Sequence, residues 1–320
     1  MNKFASITVL ALSVILVYTG CTNGNTEDFD LENLSSPIIE GLTFGNFPKL
    51  DGSTTSDRLI RTIICRLLGI DYRWEGYIVP NLDWNDAQKL WFSLLRSSQT
   101  HQAFVNLIDK EADLIITARK MSSYEKGLAH EAGVSLIETP IALDAFIFII
   151  NTNNPIDSLT SQQIQDIYTG KLTNWKDVGG NESKIKPFVR NPQSGSQEFM
   201  EMEVMKDVDI AGFPESPELV ISSMAGAIDA VFEDPAAICY TFHYYFMQVI
   251  QPHQPITPIA INRIYPIKET IINDSYPYVA PVYAVIRSDL DNSSMAYKVY
   301  EWLQTESGKQ VISESEYIPY

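Results

Sequence analysis

The chain has 320 residues, of which 45% are hydrophobic, and a formal net charge of -17 at pH 7. A chain of this length exceeds what one hydrophobic core usually serves, so it predicts two lobes. With 23 Lys and Arg against 40 Asp and Glu, the sequence shows no basic patch that would neutralise phosphate backbones, which argues against nucleic-acid binding.

The first residues have the pattern of an export signal. Lys3 is followed by an apolar run over residues 4–17, which is shorter than the roughly 20 residues of a membrane span. Small residues directly before Cys21 resemble a bacterial lipobox, so Cys21 is the predicted lipidation site; an ordinary secretory signal is the alternative. We expect residues 1–20 to be a signal peptide and residues 21–47 a polar tether. The mature protein is expected to be exported and lipid-anchored to a bacterial membrane, in the periplasm or at the cell surface.

Strand-like and helix-like patterns alternate after the tether. The first predicted strand ends near residue 52. The other predicted strands cover residues 113–117, 145–150, 185–189, 237–240 and 283–286. The predicted helices cover residues 59–68, 86–95, 101–110, 161–168, 198–205, 224–233, 293–303 and 307–312. Alternation of this kind predicts an α/β fold with mainly parallel sheets. Cys65 and Cys239 are predicted to be buried free thiols, and a bridge between them stays open.

The most informative segment is residues 188–200, in which Arg190 precedes a turn formed by Ser194, Gly195 and Ser196. An arginine supplies a fixed charge and a planar fork of donors. The glycine lets backbone amides approach an oxyanion, the serines add hydroxyl donors, and the start of the following helix favours negative charge. Together these groups predict a site for a small tetrahedral anion. An ordinary helix N-cap is the alternative, because serine is a strong capping residue.

Three further loops carry hydroxyl or donor groups where a predicted strand ends or a predicted helix begins. They are residues 52–55, 98–101 and 117–119. Ligands of open α/β sheets bind beyond the carboxyl ends of strands, where helix N-termini converge. The four loops are therefore expected to meet in one donor-rich cleft, although Thr100 could simply cap its helix.

Residues 159–180, which contain Gly-Lys-Leu-Thr-Asn-Trp, resemble a segment of the periplasmic phosphate-binding proteins of the type II solute-binding fold. The resemblance covers about residues 50–319. It implies a two-lobed protein, a monomer by expectation, that captures inorganic phosphate or a similar oxyanion and delivers it to an ABC-type membrane permease. The anion contacts implied by the resemblance are Ser53, Thr54, Thr55, Thr100, Arg190, Ser194, Gly195 and Ser196.

The expected lobes are discontinuous in sequence. Lobe 1 is predicted to comprise residues 48–145 and 246–320, and lobe 2 residues 146–245. The hinge is expected at two crossings, near residues 143–151 and again after Tyr240.

Three more residues bear on the identity of the anion. Many family members carry an aspartate after the strand that ends here at Thr117, where it accepts the hydrogen of a protonated phosphate; this chain has Ala118 and Arg119 there. Asp144 is the candidate replacement, and a surface residue flanking a strand is the alternative reading. Thr117 and Arg119 are predicted as further contacts, with a solvated Arg119 as the alternative.

Catalytic and metal-binding signatures are missing from the sequence. The 4 histidines lack zinc-like spacing, and there is no nucleophile elbow, Walker loop or dinucleotide fingerprint. We therefore expect a binding protein without metal or cofactor, not an enzyme. The alternatives are a binding protein for another oxyanion, a surface sensor or scaffold that works through a protein partner, and a hydrolase of phosphate esters.

Overall fold

A computed structural model describes residues 31–206, 208–212, 219–250 and 254–320. The predicted signal peptide, Cys21 and the first part of the tether lie outside these residues. The helices are α1 (Asp57–Leu67), α2 (Trp84–Leu94), α3 (Thr100–Ile108), α4 (Ser123–Glu131), α5 (Ser161–Tyr168), α6 (Gly195–Phe199), α7 (Met224–Glu233), α8 (His243–Val249), α9 (Lys268–Ile272), α10 (Met295–Trp302) and α11 (Glu306–Glu314). A π-helix continues α6 over Met200–Met205, and short 3-10 helices cover Leu31–Asn33, Phe44–Asn46, Thr54–Ser56 and Trp175–Val178.

The strands alternate with these helices along the chain. They are β1 (Leu50–Gly52), β2 (Tyr72–Trp74), β3 (Ile78–Pro80), β4 (Leu114–Thr117), β5 (Leu136–Asn151), β6 (Ser158–Leu159), β7 (Lys186–Pro187), β8 (Val189–Arg190), β9 (Val220–Ile221), β10 (Ala237–Phe242), β11 (Ile256–Pro258), β12 (Ala260–Ile261), β13 (Val279–Arg287) and β14 (Ile318–Pro319). The predicted α/β class is confirmed.

The principal sheet has the order β1-β4-β13-β5-β10-β7, with β11 and β14 also paired to β5. Parallel pairs, as predicted, join β1 to β4 and β10 to β7, where helices form the connections. The small pairs β6–β12 and β8–β9 are parallel too. By contrast, β5 runs antiparallel to β13 and β10, because the chain returns alongside this long strand. The principal sheet is therefore mixed.

Strand β5 connects the two main parts of the molecule. It has 16 residues, far more than the predicted run of 145–150, because the sequence before that run is only half-buried and less apolar. Its residues up to Ala145 pair with β13, and its residues from Phe146 to Ile150 pair with β10. One continuous strand thus crosses from one hydrophobic core to the other.

Two large cores flank this crossing. The first is built mainly from residues 145–280, and the second mainly from residues 31–116 and 282–317. The packing differs from the predicted lobe boundaries after residue 246, since residues 256–280 join the first core. The reason is that β11 pairs with the C-terminal end of β5, which lies in the first core. The chain therefore crosses back to the second core only along β13, and not directly after Tyr240 as predicted.

The predicted tether is packed from its first described residue onward. Leu31, Leu42, Phe44 and Phe47 are buried in the second core. The prediction of a tether rested on the many polar and acidic residues of this stretch. The few apolar residues spaced between them are the ones that pack into the core. Residues 31–47 of the predicted tether therefore belong to the packed part of the molecule.

The two described cysteines lie in different cores. Cys65 and Cys239 are free and buried, in the second and first core respectively. Burial raises the pKa of each thiol to about 12, so both are protonated and unreactive at neutral pH. The prediction of buried free thiols is confirmed.

The described ranges contain neither a candidate membrane span nor a candidate metal site. None of their helices combines the length and the apolar content needed to cross a bilayer. In the same ranges, no group of three or more His, Cys, Asp or Glu side chains is arranged to hold a metal ion.

Candidate anion-binding site

A small pocket lies where the segments that begin α1, α3, α6 and α7 meet. Its cavity volume is about 20 Å³. A pocket of this size suits a small ion and is too small for a sugar or a peptide. The lining residues are Ser53, Thr54, Thr55, Gln99, Thr100, Arg190, Ser194, Gly195, Ser196, Met224 and Phe242. The structure therefore brings together every contact that the family resemblance implied.

Arg190 is the one charged residue among the described lining residues, and it is 3% exposed. Its Nη1 donates to Ser196 Oγ at 3.2 Å, its Nε to the carbonyl of Ile221 at 3.1 Å, and its Nη2 to Asn191 Oδ1 at 3.4 Å. All three acceptors are neutral, and none of the described carboxylates forms an ion pair with this guanidinium. Burial lowers the pKa of Arg190, yet a guanidinium stays charged. An anion in the pocket would compensate this buried charge.

The backbone of Arg190 is fixed by its neighbours in the first core. Its amide donates to Gln197 Oε1 and to Tyr240 Oη, each at 3.0 Å. Tyr240 Oη in turn donates to Gln197 Oε1. This arrangement holds the guanidinium in place before any ligand arrives.

The serines beside Arg190 have structural and lining roles at once. Ser194 Oγ accepts from the amide of Gln197 at 3.2 Å and caps α6. Ser194 is therefore both the helix cap named as the alternative and a residue of the pocket lining. Ser196 Oγ accepts from Arg190 and lies 3.7 Å from the sulfur of Met224.

The hydroxyl groups of the first loop are tied to one another. Ser53 Oγ lies 2.9 Å from Thr55 Oγ1 and 2.9 Å from Ser56 Oγ. Ser56 Oγ donates to the carbonyl of Ile116 at 2.7 Å. A Cβ on Gly52 would lie 2.4 Å from that same carbonyl oxygen, so only glycine allows β1 and β4 to approach this closely.

Thr100 and Gly195 come from different segments and touch across the pocket. Thr100 is the first residue of α3, Gln99 occupies the N-cap position, and no side chain caps this helix. Thr100 therefore lines the pocket and does not cap its helix. A Cβ on Gly195 would lie 2.3 Å from Thr100 Oγ1.

We expect Gly195→Ala to lower anion affinity roughly tenfold, since overpacking by one methyl group costs about 1–3 kcal/mol. The added methyl would push Thr100 and its segment out of the pocket. Gly127→Ala is the matched control, because its Cβ would meet nothing within 4 Å and it lies within α4. A calorimetric titration of both variants checks this. Equal affinities in the two variants would contradict the close contact.

Thr117 and Arg119 do not line the pocket. Thr117 Oγ1 donates to the carbonyl of Arg119 at 2.9 Å. Arg119 is 4% exposed and forms two hydrogen bonds with Glu125, at 2.7 and 2.8 Å. Burial alone would raise the pKa of Glu125, but the hydrogen bonds and charge of Arg119 hold it below its usual value. Arg119 is therefore buried and paired away from the pocket. The sequence pattern missed its partner because Glu125 lies in α4, a helix expected after Arg119 but given no range.

Asp144 is also outside the pocket lining. It is 2% exposed, so it is not a surface residue either. Its Oδ1 accepts from the amides of Ala145 at 2.7 Å and Tyr244 at 3.0 Å, at the start of α8. Its Oδ2 is buried without a hydrogen-bond partner among the described residues. Burial raises the pKa of Asp144 to about 7 against the lowering effect of these two amides. The structure gives no support to the predicted acceptor role.

Sequence reasoning missed three residues of the lining. Gln99 lies in the predicted donor loop 98–101 but was not named as a contact, and Met224 carried no recognisable signal. Phe242 lies in a segment predicted to pack at the hinge, and its ring does pack there, 5.5 Å from that of Phe146 and 5.8 Å from that of Phe199. It lines the pocket as well.

An α/β fold with two cores joined by a long strand, and a donor-lined pocket where several loops meet, is the architecture of a solute-binding protein. Comparison with known proteins agrees. Residues 86–307 match the family model described as the PBP superfamily domain. The chain belongs to that superfamily.

Several curated relatives are phosphate-binding proteins PstS. The protein from Borreliella burgdorferi is 25% identical over 185 residues, which are 57% of this chain and 65% of the relative. The one from Staphylococcus epidermidis is 30% identical over 207 residues, 62% of this chain and 61% of the relative. The chain thus spans slightly less than two thirds of the length of these two. The protein from Staphylococcus aureus USA300 is 23% identical over 318 residues, 96% of this chain and 85% of the relative.

Solved structures show the same fold. An ABC-type phosphate transport receptor from Vibrio cholerae has a TM-score of 0.60 and 22% identity, covering 85% of this chain and 99% of the receptor. PstS from Borrelia burgdorferi has a TM-score of 0.52 and 21% identity, covering 86% and 98%. The predicted type II solute-binding fold is confirmed.

Proposed function

We propose that this protein is the substrate-binding component of a phosphate ABC transporter and that it holds phosphate in the pocket around Arg190. The observation that carries the proposal is a buried guanidinium that faces a small cavity lined by hydroxyl groups and has only neutral partners. The names of the PstS relatives support phosphate as the cargo.

The proposed mechanism is capture by donors from both sides of the pocket. Arg190 and the serines beside it belong to the part of the chain that builds the first core. Ser53, Thr55 and Thr100 belong to segments outside that core. An anion that bonds to both groups stabilises the closed arrangement over an open one, because it makes more contacts there. Binding of this kind requires no covalent step, which agrees with a transport protein rather than an enzyme.

The test is a calorimetric titration of the purified mature protein after bound ligand has been removed by reversible unfolding. We expect one phosphate per chain and a smaller radius of gyration in scattering with phosphate present. No heat and an unchanged scattering curve would contradict the proposed function and would favour a sensor or scaffold that acts through a protein partner.

We further propose that the protein is exported, anchored by a lipid on Cys21 and active as a monomer that docks on an ABC-type permease. The support for anchoring is the apolar run of residues 4–17 and the small residues before Cys21. Two lipid chains hold a protein to a membrane that it does not span.

Cys21→Ser is expected to move the protein from the membrane fraction to the soluble fraction of the expressing cells, because the thioether attachment point is lost. Immunoblots of the two fractions measure this. Cys65→Ser is the control, since that thiol is buried in the core. A Cys21→Ser protein that stays in the membrane fraction would contradict lipid anchoring.

A further inference from the structure

The lining of the anion pocket is rich in donors and contains no carboxylate among the described residues. Phosphate near neutral pH carries at least one proton, and that proton needs an acceptor, because a buried donor left unpaired is costly. Asp144, the acceptor candidate from sequence, caps α8 instead. A neutral group of the lining must therefore accept this hydrogen.

Most hydroxyl groups of the lining already have partners. Ser53 and Thr55 are bonded to each other, Ser194 Oγ accepts from Gln197, and Ser196 Oγ accepts from Arg190. The side chains of Thr54, Gln99 and Thr100 form no hydrogen bond with any described residue. All three can accept a hydrogen bond, but the hydroxyl groups of Thr54 and Thr100 can also donate to an anion, whereas the side-chain carbonyl oxygen of Gln99 only accepts.

The position of Gln99 fits this role. It lines both the anion pocket and a wider adjoining cavity of about 290 Å³, which also contacts Arg58 and Tyr245. Gln99 is exposed and therefore lies at the mouth of the anion pocket. Its amide can turn toward an anion inside.

The backbone of Gln99 is unusual. Its φ of 70° and ψ of 166° lie in a region that is almost restricted to glycine. The conformation places the Gln99 side chain beside the start of α3. A glycine would adopt this conformation without strain, so the presence of a glutamine points to a use for its side chain.

We propose that the side-chain carbonyl oxygen of Gln99 accepts the hydrogen of bound phosphate, and that this neutral group sets the preference for phosphate over sulfate. The inference rests on the proposed function. Sulfate has no hydrogen to donate, so it gains nothing from Gln99 Oε1. A neutral acceptor also repels sulfate less than a carboxylate would, so the preference is expected to be moderate.

Gln99→Gly removes the acceptor and relieves the backbone. We expect its phosphate dissociation constant to rise about three- to tenfold, the effect of losing one neutral hydrogen bond, with sulfate affinity unchanged. The melting temperature without ligand is expected to rise. Gln99→Glu supplies a charged acceptor, and we expect it to lower sulfate affinity at least about tenfold more than phosphate affinity.

Lys110→Gly is the matched control. Lys110 also has a positive φ, of 64°, and it follows the other end of α3, outside the pocket. It is expected to gain stability with unchanged affinity for both anions. Calorimetry, with sulfate measured in competition where needed, gives all these values.

The outcomes separate this inference from the proposed function. A wild-type protein that binds neither anion would overturn both. If the wild type binds phosphate, three results would overturn the role of Gln99 alone. The first is an unchanged phosphate affinity in Gln99→Gly. The second is an equal loss of affinity for phosphate and sulfate in that variant, and the third is a wild type with no measurable sulfate binding.

Discussion

Replacing Arg190 by methionine is expected to weaken phosphate binding roughly 30-fold to several thousand-fold without lowering the stability of the unliganded protein. Removing one partner of a buried charge pair typically costs about 2–5 kcal/mol of binding free energy. The unliganded protein holds this guanidinium at 3% exposure with neutral partners only. A methionine of similar volume removes a buried charge that has no counter-charge. Calorimetric titration and denaturant unfolding of the variant measure the two quantities.

Arg119→Met is the matched control, because Arg119 is equally buried but is paired with Glu125. Breaking that pair leaves a buried carboxylate without its counter-charge and is expected to lower the free energy of unfolding by about 3–5 kcal/mol. The folded fraction should bind phosphate as the wild type does. If both variants lost stability alike, or if Arg190→Met kept its affinity, Arg190 would not be the anion-binding charge.

Asp144→Asn is expected to remove a pH dependence of stability. The pKa of the Asp144 carboxyl rises from 3.8 in the unfolded chain to about 7 in the fold, so the folded state keeps a proton that the unfolded state has lost. Stability from this group is therefore full below about pH 4 and is lost as the pH rises through about 7. The loss between pH 4 and pH 8 is expected to be about 2–4 kcal/mol. Asparagine keeps the Oδ1 acceptor and cannot ionise.

The measurement is denaturant unfolding of wild type and variant at several pH values. Asp234→Asn is the control, because the hydrogen bond from Lys186 lowers the pKa of that carboxyl. The stability from Asp234 is lost only as the pH falls through its lowered pKa, so this variant should keep the wild-type slope between pH 5 and pH 8. Parallel curves for wild type and Asp144→Asn would show that the buried carboxyl does not titrate in this range.

Local pattern predicted many of the elements well. Helix α7 lies where its apolar periodicity indicated, and β4 is the short buried run that ends at Thr117. Features that depend on contacts between distant segments could not be predicted in this way. No local signal shows that β5 begins at Leu136 and serves two cores, or that residues 256–280 return to the first core, because both depend on pairing between distant strands. The spaced apolar residues of 31–47 were likewise hidden in a polar stretch.

In the candidate site, too, some residues could be recognised from local sequence and others could not. The segments around Ser53, Thr100 and Arg190 were recognisable because glycine, hydroxyl and arginine residues stand at helix starts. Arg119 and Asp144 were misplaced because their partners lie in α4 and α8. A helix was expected after Arg119 but given no range, and α8 was not predicted. The loop that contains Gln99 was predicted to line the cleft, but Gln99 itself was not named as a contact, because its positive φ leaves no trace in the sequence.

The most direct test of the central claim is a crystal structure of the protein grown with phosphate. We expect one phosphate in the pocket, with oxygens at hydrogen-bonding distance, about 2.7–3.2 Å, from the guanidinium of Arg190 and from hydroxyl groups of the Ser53 and Ser194 segments. A phosphate bound elsewhere, or a pocket without one at saturating phosphate, would contradict the account.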